Sequence, residues 1–144
     1  MKSQTLFKQV ASLSELNELA NKVAQALPKN AILLLKGDLA AGKTTFVATL
    51  AKALGVKEAV SSPTFSLQQI YGDRLYHYDF YRIDFEEITE LGLLEEFEKS
   101  GLHAIEWASD ELQELLLEAG FELFELSINN LGDKREYILK ALDA

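Results

Sequence analysis

The sequence contains no cysteine, and its 144 residues include only two prolines and one tryptophan. Without cysteine, the chain has no disulfide, no thiolate nucleophile and no cysteine-bound zinc. The sequence also lacks an apolar run near the roughly 18 residues that span a bilayer. Its first residues show no apolar stretch followed by a small-residue cleavage site, the pattern of a secretory signal. These absences predict a cytoplasmic protein that does not associate with membranes.

Positively charged residues are scarce: 14 lysines and arginines stand against 23 aspartates and glutamates, a formal net charge of −9. Nucleic-acid affinity depends on neutralising phosphates with cations, so this balance argues against unaided binding to RNA or DNA. It remains compatible with a phosphate site built locally from backbone N–H groups. We therefore expect any contact with RNA to run through a partner.

Composition and patterning predict one α/β domain over residues 1–144, monomeric when free. Hydrophobic residues form 48% of the chain, enough for one sizeable core at this length. Apolar periodicity and turn residues predict helices over 13–27, 43–54, 86–97 and 109–119. They predict strands over 31–35, 65–71, 75–81, 102–107, 121–128 and 137–139, with hairpins at 65–81 and 121–139. Strands and helices that alternate around an inserted hairpin indicate a mixed sheet.

The segment from Gly37 to Thr44, GDLAAGKT, matches the Walker A pattern G-x-x-x-x-G-K-[ST]. It follows a buried-strand pattern and precedes a helix, the context in which such a loop binds phosphates. Glycines let the backbone adopt positive φ and approach an anion, and the helix N-terminus favours negative charge. Lys43 would reach the β- and γ-phosphates, and the Thr44 hydroxyl would bind Mg²⁺. A turn that binds nothing is disfavoured, because a random window matches at only about 4 × 10⁻⁵.

A phosphate loop needs a second acidic group for Mg²⁺, and two carboxylates qualify. Asp79 lies in the aromatic-rich run YHYDFYR, and Glu106 follows the apolar strand at 102–105 and precedes Trp107. A carboxylate flanked by apolar residues is costly to desolvate unless it is paired or bound to metal. The alternative for each is a structural ion pair, with Arg82 as a partner for Asp79. From residue chemistry alone, the two interpretations carry equal weight.

Four motifs together resemble the TsaE (YjeE) family: GDLAAGKTTF from residue 37, SPTF from residue 62, YHYDFYR from residue 76, and EW at residue 106. The resemblance implies a P-loop NTPase-like three-layer α/β fold, with a mixed parallel/antiparallel central sheet and flanking helices. It implies an Mg²⁺-dependent ATPase needed to make threonylcarbamoyladenosine on tRNA. Such an ATPase acts with a TsaB–TsaD complex, which it resets by hydrolysing ATP, and it meets tRNA only through these partners.

The resemblance also assigns roles to residues by position. Mg²⁺ would be held by Thr44, Asp79 and Glu106. Lys43 would act on the transferred phosphate, and Glu106 or Thr64 would position the attacking water. The nucleotide would be bound by Gly37, Asp38, Leu39, Ala40, Ala41, Gly42, Lys43, Thr44, Thr45 and Trp107.

The sequence departs from the family pattern at Ala40, where the family usually has glycine. If that glycine adopts positive φ, alanine there is strained by about 1 kcal/mol or more. We therefore expect an altered loop geometry and slower turnover.

Other charged residues favour structural interpretations. His77 could support the metal, but a buried histidine with satisfied hydrogen bonds is the favoured interpretation. Arg82 and Arg135 are interpreted as surface ion pairs rather than anion contacts. The seven carboxylates between residues 84 and 98 are interpreted as a solvated helix face.

Two functions other than a partner-dependent ATPase stay open. A small-molecule kinase is disfavoured, because the chain has only three arginines and no basic lid. A nucleotide-dependent binding module with incidental hydrolysis needs the same loop and the same metal ligands, so the sequence does not separate it. No arginine finger is evident, which predicts slow hydrolysis by the chain alone. The guanine-reading motif N-K-x-D is also missing, which favours adenine.

Overall fold

Eight strands form one mixed sheet in the computed structural model, which describes residues 2–38, 41–56, 58–62 and 65–143. The strands are β1 (Lys2–Ser12), β2 (Ala31–Lys36), β3 (Val60–Ser61), β4 (Gln68–Tyr71), β5 (Leu75–Asp79), β6 (Leu102–Glu106), β7 (Leu123–Asn130) and β8 (Lys134–Asp143). Their order across the sheet is β1-β8-β7-β2-β6-β5-β4-β3.

The centre of the sheet is parallel and its two sides are antiparallel. Strand β2 pairs in parallel with β6 and β7, and β6 pairs in parallel with β5. Hairpins β4–β5 and β7–β8 add antiparallel strands on either side. Because β2, β5 and β6 run the same way, their carboxyl ends meet at one edge, where ligands bind in open α/β sheets.

Within the described ranges, four α-helices cover the two faces of the sheet: α1 (Leu16–Ala26), α2 (Lys43–Ala53), α3 (Phe85–Glu90) and α4 (Asp110–Glu118). The first two helices share a core cluster with Leu33 and Leu35 of β2, and the last two share another with Ile32 and Leu34. Alternate side chains of β2 therefore enter opposite layers, which explains its unbroken apolar run. The expected three-layer α/β fold with a mixed sheet is confirmed.

The structure differs from the predictions in one helix and in one strand. The acidic helix over 86–97 is wrong as a single helix: Gly92 has φ 75°, and it separates α3 from a 3-10 helix at Leu93–Glu98. The long N-terminal strand β1 was not predicted. It is an edge strand in which Ala11 alone is buried, so it carries little of the apolar pattern that marks a strand.

The helices in the described part of the chain are short, with at most 11 residues in any α-helix. No helix among the described residues is both long and apolar enough to cross a membrane.

Candidate nucleotide site

The glycine-rich loop leaves β2 at the carboxyl edge of the sheet and enters α2. Gly37 and Gly42 have φ angles of 152° and 98°. A Cβ on Gly37 would lie 2.6 Å from the carbonyl oxygen of Ile128 on β7, so the position requires glycine. Leu39 and Ala40, including the departure from the family pattern, lie outside the described residues.

The first turn of α2 presents backbone donors to the end of this loop. The helix begins at Lys43, and the first intrahelical hydrogen bond runs from the Phe46 N–H to the Gly42 carbonyl at 2.9 Å. Earlier N–H groups of the helix have no intrahelical acceptor and favour an anion. Thr44 and Thr45 are both exposed in this turn. The exposed Asp38 contributes its carbonyl, which accepts the Ala41 N–H at 3.0 Å.

Lys43 is almost fully buried at the centre of the loop, with 3% of its surface exposed. Its Nζ donates to the Gly37 carbonyl at 2.7 Å and lies 3.7 Å from the ring centroid of Trp107. Burial lowers the pKa of Lys43, and the carboxylates of Glu106 and Asp79 offset part of that effect. The ammonium is therefore held at the loop by one carbonyl and one aromatic face.

Trp107 lies at the surface over Lys43 rather than in the core. Its φ of 63° is the one positive value among the described non-glycine residues, a conformation that bulky side chains avoid. The residue is 36% exposed, and its ring centroid lies 4.9 Å from that of Tyr81. A strained backbone conformation persists only where surrounding contacts hold it, and such residues cluster at functional sites.

Glu106 ends β6 and connects the loop to the neighbouring strands. The residue is 4% exposed, and its Oε2 accepts from Thr44 Oγ1 at 3.0 Å and from His77 Nε2 at 2.5 Å. Burial raises the pKa of Glu106, but these two hydrogen bonds and the charges of His77 and Lys43 outweigh it, so the pKa is lowered. Glu106 is thus held ionised beside Lys43 and Thr44.

Asp79 ends β5 and is the register partner of Glu106. Its Oδ1 accepts the Tyr81 N–H at 3.0 Å, and the residue is exposed. Within the described residues, Arg82 makes no ion pair with Asp79, so the structural alternative proposed for this carboxylate is wrong. Asp79, Arg82, His77 and Thr44 instead line one cleft of about 580 Å³.

The side chains at this edge fit a hard divalent cation. Thr44, Asp79 and Glu106 offer one hydroxyl and two carboxylates, and Mg²⁺ prefers oxygen ligands of this kind. No group of three histidine, cysteine, aspartate or glutamate side chains forms a metal cluster within the ranges that the structure describes. Mg²⁺ usually binds one or two carboxylates together with waters and phosphates, which agrees with this incomplete set. Thr64, the third expected catalytic residue, lies outside the described residues.

Two contacts at the site were not predicted from the sequence. His77, favoured as a core histidine, contacts Glu106 directly. Arg135 of β8, interpreted as a surface ion pair, donates from Nε to the Ala41 carbonyl at 2.5 Å. The alternation of His77 with Asp79 on one strand is the signal that kept a supporting role for His77 open, whereas Arg135 reaches the loop across 94 residues of sequence.

The protein is thus a three-layer α/β protein with a mixed sheet. A Walker A sequence joins a strand to a helix at the carboxyl edge of that sheet. The family model for TsaE, the threonylcarbamoyl adenosine biosynthesis protein, matches residues 10–137. The chain therefore belongs to the TsaE family, whose role is in the biosynthesis of threonylcarbamoyladenosine in tRNA.

Individual relatives agree with this assignment. The chain is 37% identical over 122 residues to the tRNA threonylcarbamoyladenosine biosynthesis protein TsaE of Bacillus subtilis, covering 77% of each chain. It is 42% identical over 122 residues to TsaE of Aquifex aeolicus, covering 78% of this chain and 86% of the relative. The crystal structure of YdiB from Bacillus subtilis superposes with a TM-score of 0.70 at 30% identity, covering 98% of this chain and 88% of YdiB.

Proposed function

We propose that this protein binds ATP and hydrolyses it in an Mg²⁺-dependent reaction that serves threonylcarbamoyladenosine formation on tRNA. One observation carries the proposal: Lys43 lies at the glycine-rich loop under the Trp107 ring, the adjacent Thr44 donates to Glu106, and Asp79 is the register partner of Glu106 on the next strand. Membership of the TsaE family supports the pathway. The geometry supports a nucleotide as the ligand, because loop, lysine and hydroxyl are arranged for phosphates.

The loop would hold the phosphates of the nucleotide. Phosphate oxygens would compete with the Gly37 carbonyl for the ammonium of Lys43, which lies 2.7 Å from that carbonyl. The Trp107 ring would keep the ammonium in place from the other side. The backbone donors of the first turn of α2 would complete the cradle.

Thr44, Asp79 and Glu106 would hold Mg²⁺. When bound, the metal neutralises charge that develops on the transferred phosphate. Oε2 of Glu106 already accepts a hydrogen bond from Thr44, so the two oxygen ligands stay adjacent. Glu106 or Thr64 would orient the attacking water.

The nucleoside would lie on the other side of the loop. A cleft of about 270 Å³ opens beside Gly42 and Thr45 and is lined by the apolar surfaces of Leu13, Leu16 and Tyr137. Apolar walls with polar groups beside them, here Asp133 and Arg135, suit a flat heterocyclic base. Adenine is the base we expect.

Hydrolysis by the chain alone should be slow. Arg74 is engaged at the far end of α2, where it donates to the Leu54 carbonyl at 2.8 Å, and Arg135 is engaged with the Ala41 carbonyl. Arg82 lines the cleft beside Thr44 and Asp79, but no hydrogen bond or ion pair within the described residues fixes its guanidinium towards a phosphate. An arginine aimed at the transferred phosphate contributes about 10³- to 10⁵-fold in rate when a partner supplies it. A TsaB–TsaD complex is the partner we propose, and it would also carry the tRNA.

Phosphate release tests the proposal and its alternative. We expect slow Mg²⁺-dependent release of phosphate from ATP, faster release with a TsaB–TsaD complex, and loss of both rates in Lys43→Ala. Stable ATP binding with no partner-stimulated release would favour the alternative, a nucleotide-dependent binding module. Absence of nucleotide binding with and without the complex would contradict both.

A further inference from the structure

His77 forms a short contact with the carboxylate of the candidate site. The residue lies on β5, two positions before Asp79, and its Nε2 is 2.5 Å from Oε2 of Glu106 on β6. Both side chains are nearly excluded from solvent, with 8% and 5% of their surfaces exposed. A contact this short between two buried polar groups fixes both of them.

The direction of the hydrogen bond follows from the chemistry of the two groups. An ionised carboxylate only accepts hydrogen bonds, so Nε2 of His77 must carry the proton. Thr44 Oγ1 donates to the same oxygen at 3.0 Å. Oε2 therefore takes two donors, and no described residue donates to Oε1.

We propose that His77 is a positioning residue that holds the Glu106 carboxylate beside Thr44, so that Glu106 can serve as a ligand for Mg²⁺. This inference rests on the proposed Mg²⁺-dependent function. Metal ligands are commonly oriented by a hydrogen bond from a residue that does not touch the metal, and loss of such a partner costs about 10- to 100-fold in affinity or activity. His77 supplies this hydrogen bond to a carboxylate at the end of a rigid central strand.

The chain contains a matched control for the opposing view that His77 only completes the core. His103 is 1% exposed on β6, and its two ring nitrogens lie 2.7 Å from the Tyr78 hydroxyl and 2.8 Å from the Lys99 carbonyl. It contacts none of the candidate metal ligands. Loss of either histidine should destabilise the fold, but only loss of His77 should change the response to metal.

The test compares His77→Leu, His77→Gln and His103→Leu with the wild type. The affinity for ADP is measured by calorimetry, once with Mg²⁺ and once with EDTA. We expect similar affinities for all four proteins in EDTA. The gain in ADP affinity that Mg²⁺ provides should be about 10- to 100-fold smaller in His77→Leu than in the wild type. His103→Leu should keep the full gain. The glutamine Nε2 can donate as His77 Nε2 does, so His77→Gln should recover most of the gain.

A second readout needs neither metal nor nucleotide. In the wild type, nuclear magnetic resonance should show a downfield, exchange-protected imidazole Nε2–H that disappears in His77→Leu and persists in His103→Leu. If His77→Leu does not fold, this signal and His77→Gln decide the question. If the Nε2–H signal is absent from the wild type, His77 is not the donor to Glu106. The same conclusion follows if His77→Gln folds but gains no ADP affinity from Mg²⁺.

The outcomes separate this inference from the function on which it rests. If the wild type gains ADP affinity from Mg²⁺ and His77→Leu gains as much, the positioning role is overturned and the proposed function stands. If the wild type gains nothing from Mg²⁺, the proposed metal dependence is overturned together with the inference.

Discussion

Among single residues, Gly37 links the glycine-rich loop to the sheet. A Cβ at this position would meet the Ile128 carbonyl at 2.6 Å, whereas a Cβ on Gly120 would meet nothing within 4 Å, although both glycines have positive φ. Gly120→Ala therefore carries backbone strain alone, about 1 kcal/mol. Gly37→Ala adds a steric clash and should lower the free energy of unfolding by about 2–4 kcal/mol. Urea unfolding of both variants measures the difference, and equal losses would contradict the close approach of β7 to the loop.

His103 gives a second prediction at this scale, in the pH dependence of stability. Burial lowers its pKa, and the hydrogen bond to the Lys99 carbonyl and the charge of Glu96 offset only part of that effect. The charged groups around it are Glu96 and Lys99, and Tyr76 and Tyr78 stack against its ring. The neutral form is the one that the folded state favours.

The sign of the effect follows from this lowered pKa. Above the unfolded-state pKa of about 6.5, both states hold neutral His103 and its contribution is complete. As the pH falls below that value, the unfolded chain takes up a proton that the folded chain refuses, and stability is lost. Between pH 8 and pH 5.5, the free energy of unfolding should fall more in the wild type than in His103→Gln. Identical slopes would show that His103 does not titrate as described.

Among the elements, the β7–β8 hairpin supports the glycine-rich loop through Arg135. Its Nε donates to the Ala41 carbonyl, and hydrogen bonds to charged groups contribute about 1.5–3 kcal/mol. Arg135→Ala should free the loop and weaken ADP binding about tenfold. The neighbouring exposed Lys134→Ala removes the same charge without this contact and should bind ADP as the wild type does. Calorimetry measures the ADP affinity of both variants. Equal affinities would show that the hairpin does not contribute to nucleotide binding.

The elements also show how far sequence reasoning reaches. Strand β2 and helix α2 follow from a local apolar run and a local motif, and both were predicted closely. Strand β1 was missed because an exposed edge strand buries too little to leave a pattern. The break at Gly92 was missed because apolar periodicity does not register a single positive φ.

The candidate site, too, is only partly predictable from the sequence. The loop residues and both candidate carboxylates are evident in the sequence, since their motifs are contiguous. Their assembly is not, because Asp79 and Glu106 become neighbours only through the parallel register of β5 and β6. The contact of Arg135 with the loop depends on the parallel pairing of β7 with β2, which brings the β7–β8 hairpin beside a distant part of the sequence.

At the scale of the whole molecule, the net charge of −9 bears on the tRNA pathway. Few cations are available to neutralise phosphates, so the chain alone should not bind tRNA at physiological salt. A gel-shift titration with tRNA, with and without a TsaB–TsaD complex, tests this expectation. Salt-sensitive binding of tRNA by the isolated chain would contradict the proposed division of labour.

Nucleotide binding at the glycine-rich loop should change the surroundings of Trp107, whose fluorescence therefore reports on it. Its indole covers the ammonium of Lys43 at 3.7 Å, and it is the single tryptophan of the chain. Titration with ADP or ATP should therefore give a saturable change in its fluorescence that is stronger with Mg²⁺. The change should vanish in Lys43→Ala, whose fold is checked by circular dichroism. If the wild type shows neither a fluorescence change nor heat by calorimetry, nucleotide binding at the glycine-rich loop is contradicted.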